Sequence, residues 1–261
     1  MNKRKSIMYL IFLTSVAISG CTSLFSAALQ DPPAVTDMEM VLIPAGEFLM
    51  GSDQHDPNER PQRAVYLDAF WIDQTEVTNA QYAQCMAEGA CRTQRDPKYV
   101  TDKEKANHPV VYVTWEEAQA FCQWAGKTLP TEAQWEKAAR GTDGRLFPWG
   151  NQAPSRKLLN YYDHRGGTTP VGSYPAGVSP YGLLDMAGNA SEWVSDWYDP
   201  TYYQRAPDRN PPGPEDESVH VKRGGSWFTL GDLAVRVSFR KYTGSEERDY
   251  NIGFRCVYNG K

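Results

Sequence analysis

No stretch of the 261-residue chain gathers charge of one sign, and its net charge of −5 is spread without a long acidic or basic run. Clustered Lys and Arg are the footprint of a nucleic-acid surface, so a nucleic-acid partner is excluded. Histidine is scarce. His55, His108, His164 and His220 are the four present. None falls in the His-x-Asp/Glu or His-x-x-x-His spacing that sets two metal ligands on one element. Each reads as a surface or turn residue. No Cys-x-x-Cys occurs, which removes a redox-active dithiol motif. The apolar run at 7–17 falls short of the ~20 residues a membrane-spanning helix needs. There is no internal repeat and no low-complexity tract.

What is present begins at the N-terminus. Lys3, Arg4 and Lys5 precede that apolar run, and Ile18-Ser19-Gly20-Cys21 follows it. The layout is that of an export signal. An aliphatic residue, two small residues and a cysteine in this order resemble the lipobox of bacterial lipoproteins. The expectation is a signal peptide over 1–20, a lipidated Cys21 that ties the chain to a membrane, and a linker to residue 37. Thr22 stands where an Asp would resemble an inner-membrane retention signal. Export places the other four cysteines in an oxidising compartment, where disulfides persist. Three pairings are open to them. Cys85 and Cys91 are near enough for a local bridge, and Cys122 with Cys256 would close a long loop, worth roughly 3 to 5 kcal/mol by loop entropy.

Along the rest of the chain, 40–52 reads as a hairpin about a Pro-Ala-Gly turn, 52–63 as a polar surface loop holding His55, and 64–72 as one alternating strand. Three threonines, each followed three residues later by Gln or Glu, announce helix starts: Thr78 with Gln81, Thr114 with Glu117, and Thr131 with Gln134. In the second helix Ala118, Phe121, Cys122 and Ala125 fall on one apolar face. Gly126 and Gly141 end the second and third helices. Beyond 142 the chain breaks into short runs punctuated by Gly and Pro. Residues 199–218 read as an exposed insertion, 221–227 as a strand entering a glycine turn, and 251–257 as a final strand. The stretch YGLLDMAGNASEWVSDWY at 181–198 sets three acids and four aromatic residues about a glycine turn. It reads as a fixed loop whose Trp193 and Trp197 cover one surface.

Eight segments carry a family resemblance: IPAGEFLMG (43–51), EVTNAQY (76–82), PVVYVTW (109–115), GKTLPTEAQWEKAARG (126–141), PWGN (148–151), the 181–198 stretch, RGGSW (223–227) and NIGFRC (251–256). In this order, across 38–258, they resemble the formylglycine-generating enzyme family, also called the sulfatase-modifying factor domain. The resemblance implies a single α+β domain over 38–261, with little regular secondary structure and a topology like that of C-type lectins. It also implies that Cys122 and Cys256 form the family's structural disulfide.

Two calcium sites carry over from the family. The first would take side-chain oxygens from Asp185 and Glu192 and carbonyls from Gly188 and Ala190, a hard-oxygen shell of the kind calcium prefers. The second would use the side chains of Asn160 and Asp163 with the carbonyls of Tyr161 and Arg165. Catalysis does not carry over. The family's enzymes bind copper through two cysteines after the Arg-Gly-Gly-Ser turn and oxidise a substrate cysteine with oxygen. Those positions are Thr229 and Ala234 here, which offer Cu(I) no soft sulfur ligand, so no copper is expected. Related sulfoxide synthases use histidine-bound iron and an extra helical domain, and this chain has no room for that domain.

The expectation is a lipid-anchored extracytoplasmic domain of the bacterial cell envelope, on an outer-membrane or periplasmic face. It would bind or scaffold a peptide, protein or glycan in a groove about Ser226, Trp227, Asn251 and Arg255. The alternative is an oxidase or metal-dependent modifying enzyme of the same family.

Overall fold

Residues 40–50 and 63–73 lie antiparallel along their whole length, broken once in the middle. In the computed structural model, which describes residues 29–32, 38–92, 100, 102–215 and 218–260, strand β1 (Met40–Ile43) pairs with β4 (Phe70–Asp73). Strand β2 (Gly46–Met50) pairs with β3 (Arg63–Leu67). The hairpin expected within 40–52 is therefore not formed. Pro44 has no N–H to donate to a ladder, so the chain bends there, and each half pairs with one half of 63–73, which is two strands and not one. The signal segment, Cys21, Thr22 and most of the linker lie outside the described residues.

Helices α1 (Asn79–Ala87), α2 (Trp115–Trp124) and α3 (Glu132–Arg140) each begin with a complete capping box, built on Thr78, Thr114 and Thr131. The two reciprocal bonds satisfy donors that a helix start leaves open. Ala118, Phe121, Cys122 and Ala125 are all fully buried. Gly126 and Gly141 follow the second and third helices with φ of 71° and 73°.

The second half of the chain builds a four-stranded sheet in the order β7 (Lys241–Thr243), β6 (His220–Arg223), β5 (Ser191–Trp197), β8 (Ile252–Phe254). Strand β9 (Val257–Tyr258) leaves this sheet to pair with β4, so the expected last strand is two strands in two sheets. Seven residues of the stretch read as a loop form β5, an inner strand of the four-stranded sheet. A register irregularity falls between Trp193 and Trp197, and the two indoles part company. Trp193 is fully buried and donates to the Val113 carbonyl at 3.1 Å. Trp197 stacks on His220 at 3.7 Å, whose other face meets Trp115 at 4.0 Å. His220 is thus a buried core residue, not the surface residue expected.

Residues 199–218 are not a free insertion either. Tyr202 and Tyr203 are buried in the main core, and Asn210 and Asp208 hydrogen-bond the backbone of Tyr66. Two disulfides, Cys85–Cys91 and Cys122–Cys256, join the described cysteines. The second lies in a core cluster with Phe121, Trp193 and Phe254.

Candidate functional site

The glycine turn after β6 fixes the cavity of interest. Gly225 has φ of 69°, and a Cβ there would meet Val235 at 2.9 Å, the Ala234 carbonyl at 3.0 Å and Thr229 Oγ1 at 3.1 Å. Only glycine fits such a position, which needs positive φ and close approach. The turn thereby brings positions 229 and 234 against one point. Thr229 and Ala234 both line a cavity of about 300 Å³, with Ser226, Asn251, Ser191, Lys222, Lys241 and Asp249. The Ser226 N–H donates to Thr229 Oγ1 at 2.9 Å, and the two hydroxyls are 3.4 Å apart. No cysteine is among the described residues that line this cavity.

Trp227 lines a neighbouring cavity of about 330 Å³ with Tyr112, Pro109, Gly167 and Tyr250. Phe228 belongs to both. Trp227, Phe228 and Tyr250 form a cluster with ring centroids 5.4 to 5.6 Å apart. The two cavities together make a groove with a polar end and an aromatic end.

Arg255 is not part of that groove. It is fully buried and forks onto Glu192, with Nε to Oε2 and Nη2 to Oε1 both at 2.7 Å. Its remaining donors go to the carbonyls of Asp73, Gln74 and Leu184. A guanidinium matches a carboxylate by two parallel bonds, and that pairing draws Arg255 away from Ser226.

The first proposed calcium set is arranged about this same cation. Glu192 gives both oxygens to Arg255, and Oε2 also accepts from Trp135 Nε1 at 2.8 Å. Asp185 Oδ2 accepts from the Gly172 N–H at 2.6 Å. Gly188, with φ of 80°, turns tightly against Asn160, whose carbonyl a Cβ would meet at 2.4 Å. A third acid, Glu76, accepts from the Ala190 N–H at 3.1 Å and the Asn189 amide at 3.3 Å. Burial raises the Glu76 carboxyl well above its ordinary value, helped by Asp185 and Glu192. Burial likewise lifts Asp185 to about 6. Among the described residues no three acidic, histidine or cysteine side chains are grouped to hold a metal. The donor set here does not fit calcium as arranged, because Arg255 occupies both oxygens of Glu192, the expected side-chain ligand.

The second set differs. Asn160 Oδ1 is buried and accepts no hydrogen bond among the described residues, an oxygen left for a cation. The Asn160 amide nitrogen donates to the Gly167 carbonyl at 2.9 Å. Asp163, at positive φ, and Arg165 are exposed in the turn that follows. The Tyr161 carbonyl accepts from His164 Nδ1 at 2.6 Å. The described geometry brings Asn160, Tyr161, Asp163 and Arg165 into one short turn.

Glu76, Lys222, Lys241 and Asp249 were not singled out from the sequence. Glu76 sits two residues before the first capping box, where the helix signal masks it. Lys222 stands between Val221 and Arg223 in the strand His220–Arg223, where a lysine beside an arginine ahead of a glycine turn gives no local sign of burial.

A family model described as "Sulfatase-modifying factor enzyme 1-like domain" matches residues 26–260. A formylglycine-generating enzyme of Bos taurus is 33% identical over 84% of this chain and 74% of its own length. The serine/threonine-protein kinase pkn1 of Chlamydia caviae is 37% identical over 84% of this chain, which spans only 38% of that protein. Among solved structures, PvdO from Pseudomonas aeruginosa superposes with a TM-score of 0.74 at 26% identity, covering 88% of this chain and 99% of that one.

Proposed function

The chain belongs to the sulfatase-modifying factor, or formylglycine-generating enzyme, family, and from that membership we propose that it is a binding domain that performs no oxidation. One observation carries this. The two positions at which the resemblance implies copper thiolates converge on Gly225 as Thr229 and Ala234, in a cavity that no described cysteine lines. The ligand class that suits the groove is a peptide or a peptide-bearing protein. A chain can thread two adjoining cavities that share Phe228, with an aromatic surface at one end and hydrogen-bonding groups at the other. Export and a lipid on Cys21 are part of the proposal, and two disulfides support an oxidising compartment. So is calcium at the Asn160 turn, supported by the unmet Asn160 oxygen.

The test is direct. Purified protein incubated with a Cys-x-Pro-x-Arg peptide, copper, a reductant and oxygen should leave the peptide mass unchanged. A mass loss corresponding to conversion of the cysteine to an aldehyde would overturn the proposal in favour of an oxidase.

A further inference from the structure

Lys222 is anomalous among the charged groups of this molecule. It is only 7% exposed, yet its ammonium makes no ion pair or hydrogen bond among the described residues. The other strongly buried basic side chains contrast with it: Lys127 holds Asp73 at 2.7 Å, Lys137 donates to two carbonyls, and Arg223, Arg240 and Arg255 are all paired with glutamates. The Lys222 stem is buried and its ammonium opens into the cavity with no protein partner among the described residues to offset its charge. The strand register makes it worse, because Lys241 is the direct antiparallel partner of Lys222. Like charges placed opposite each other in a ladder repel. Both lysines line the 300 Å³ cavity, where the one facing acid is Asp249.

The hydroxyls beside them point the same way. Ser226 and Thr229 carry one proton each, and Thr229 Oγ1 already accepts from a backbone N–H. One proton can serve the 3.4 Å contact between them. The other makes no hydrogen bond among the described residues. The cavity thus presents two ammonium groups against a single lining carboxylate, an excess of one positive charge, with the unmet Asn251 Oδ1 as a neutral acceptor in its wall. Its mouth is apolar. Phe228 and Leu230 line it and stay 42% and 68% exposed, large hydrophobic surface left for a ligand to cover.

We propose that this cavity binds a carboxylate carried on an apolar residue, with Lys222 and Lys241 supplying the counter-charge and Phe228 and Leu230 holding the body. The carboxylate could be a free acid or a peptide's C-terminus; the recognising chemistry is the same. The inference rests on the binding function proposed above and deepens it by naming the ligand's chemical class. Burial, with Lys241 beside it, lowers the Lys222 ammonium to about 8, against the opposing pull of Asp249 and Glu247. A bound carboxylate favours the protonated form, so binding should weaken as pH rises above about 8.

The experiment is calorimetry on the full chain with three probes: N-acetyl-phenylalanine, its carboxamide, and acetyl-Gly-Ser-Gly-Phe with a free C-terminus. At least one free acid should bind, and the carboxamide should be about ten- to a hundred-fold weaker, the range for losing a charged hydrogen-bonding partner. Lys222→Met should lose the same factor for the acids and change carboxamide binding little. The exposed Lys241→Met serves as a second variant should the first not fold, with several-fold loss expected. Tighter binding of the peptide would assign the carboxylate to a chain end, and tighter binding of the small acid to a free metabolite; either supports the proposal. Equal binding of acid and carboxamide, acid binding that survives both substitutions, or no saturation by either acid at millimolar concentration would overturn it. Peptide oxidation bears on the binding function separately, so the two failures are distinguishable.

Discussion

Glu192 gives both oxygens to Arg255, whereas Asp185, in the same buried cluster, has the Gly172 N–H on one oxygen and a carboxyl that burial lifts to about 6. The ordinary value is 3.8, so between the two the folded protein holds a proton the unfolded chain has released. Stability therefore falls as pH rises from about 3.8 through about 6 and stays lower above. Asp185→Asn removes the charge and keeps an oxygen for Gly172. It should raise Tm at pH 7, with the gain vanishing below pH 4; an Asn variant less stable than the parent at pH 7 would refute this account. In the sequence Asp185 and Glu192 are alike, two acids bracketing a glycine turn. What separates them is Arg255, whose position inside this cluster depends on where β8 ends and β9 begins. No local pattern reports that, and Arg255 was for this reason expected in the groove. Lys222 was hidden likewise: the lysine opposite it lies across a ladder and not nearby in the chain.

The helix starts were fully legible, because a capping box is made of bonds between residues three apart. Strand pairing was not. The strands over 40–50 could be located but not partnered, and the helix α3, with Glu132, Glu136, Lys137 and Arg140, has the composition of a solvated face. It is buried instead. Glu132 and Glu136 meet Arg223, Glu132 also meets Arg240, and Lys137 and Arg140 donate to carbonyls of residues 44–51. Those partners make burial of the charges tolerable. The turn from Asn160 to Arg165 is the element on which the calcium proposal stands. A calcium titration should raise Tm, by about 2.7 kcal/mol of stabilisation at a hundred-fold excess over Kd, or several degrees for a domain of this size. Asp163→Ala should abolish the rise and Asp185→Asn should leave it. No rise in the parent protein would remove calcium from the account.

For the whole molecule, the proposed export signal and lipid make a prediction about location. Expressed in a bacterium that processes lipoproteins, the protein should sediment with membranes, and Cys21→Ser should release it to the soluble fraction. Membrane association unaltered by that change would exclude the lipid on Cys21 as the anchor. The domain itself is held by long-range links: the Cys122–Cys256 bridge, the four-stranded sheet, and buried ion pairs that join α3 to β6. The sequence by itself determined the family, the α+β class, the three helix starts and the replacement of the copper cysteines by Thr229 and Ala234, because ordered motifs, capping boxes and residue identities are local facts. Only the tertiary structure decided that Arg255 engages both oxygens of Glu192, that His220 lies between two indoles, and that Lys222 is the ladder partner of Lys241 with both lining one cavity. Those facts are distances between residues far apart in the chain, and burial acts on charge only once the fold has removed the water.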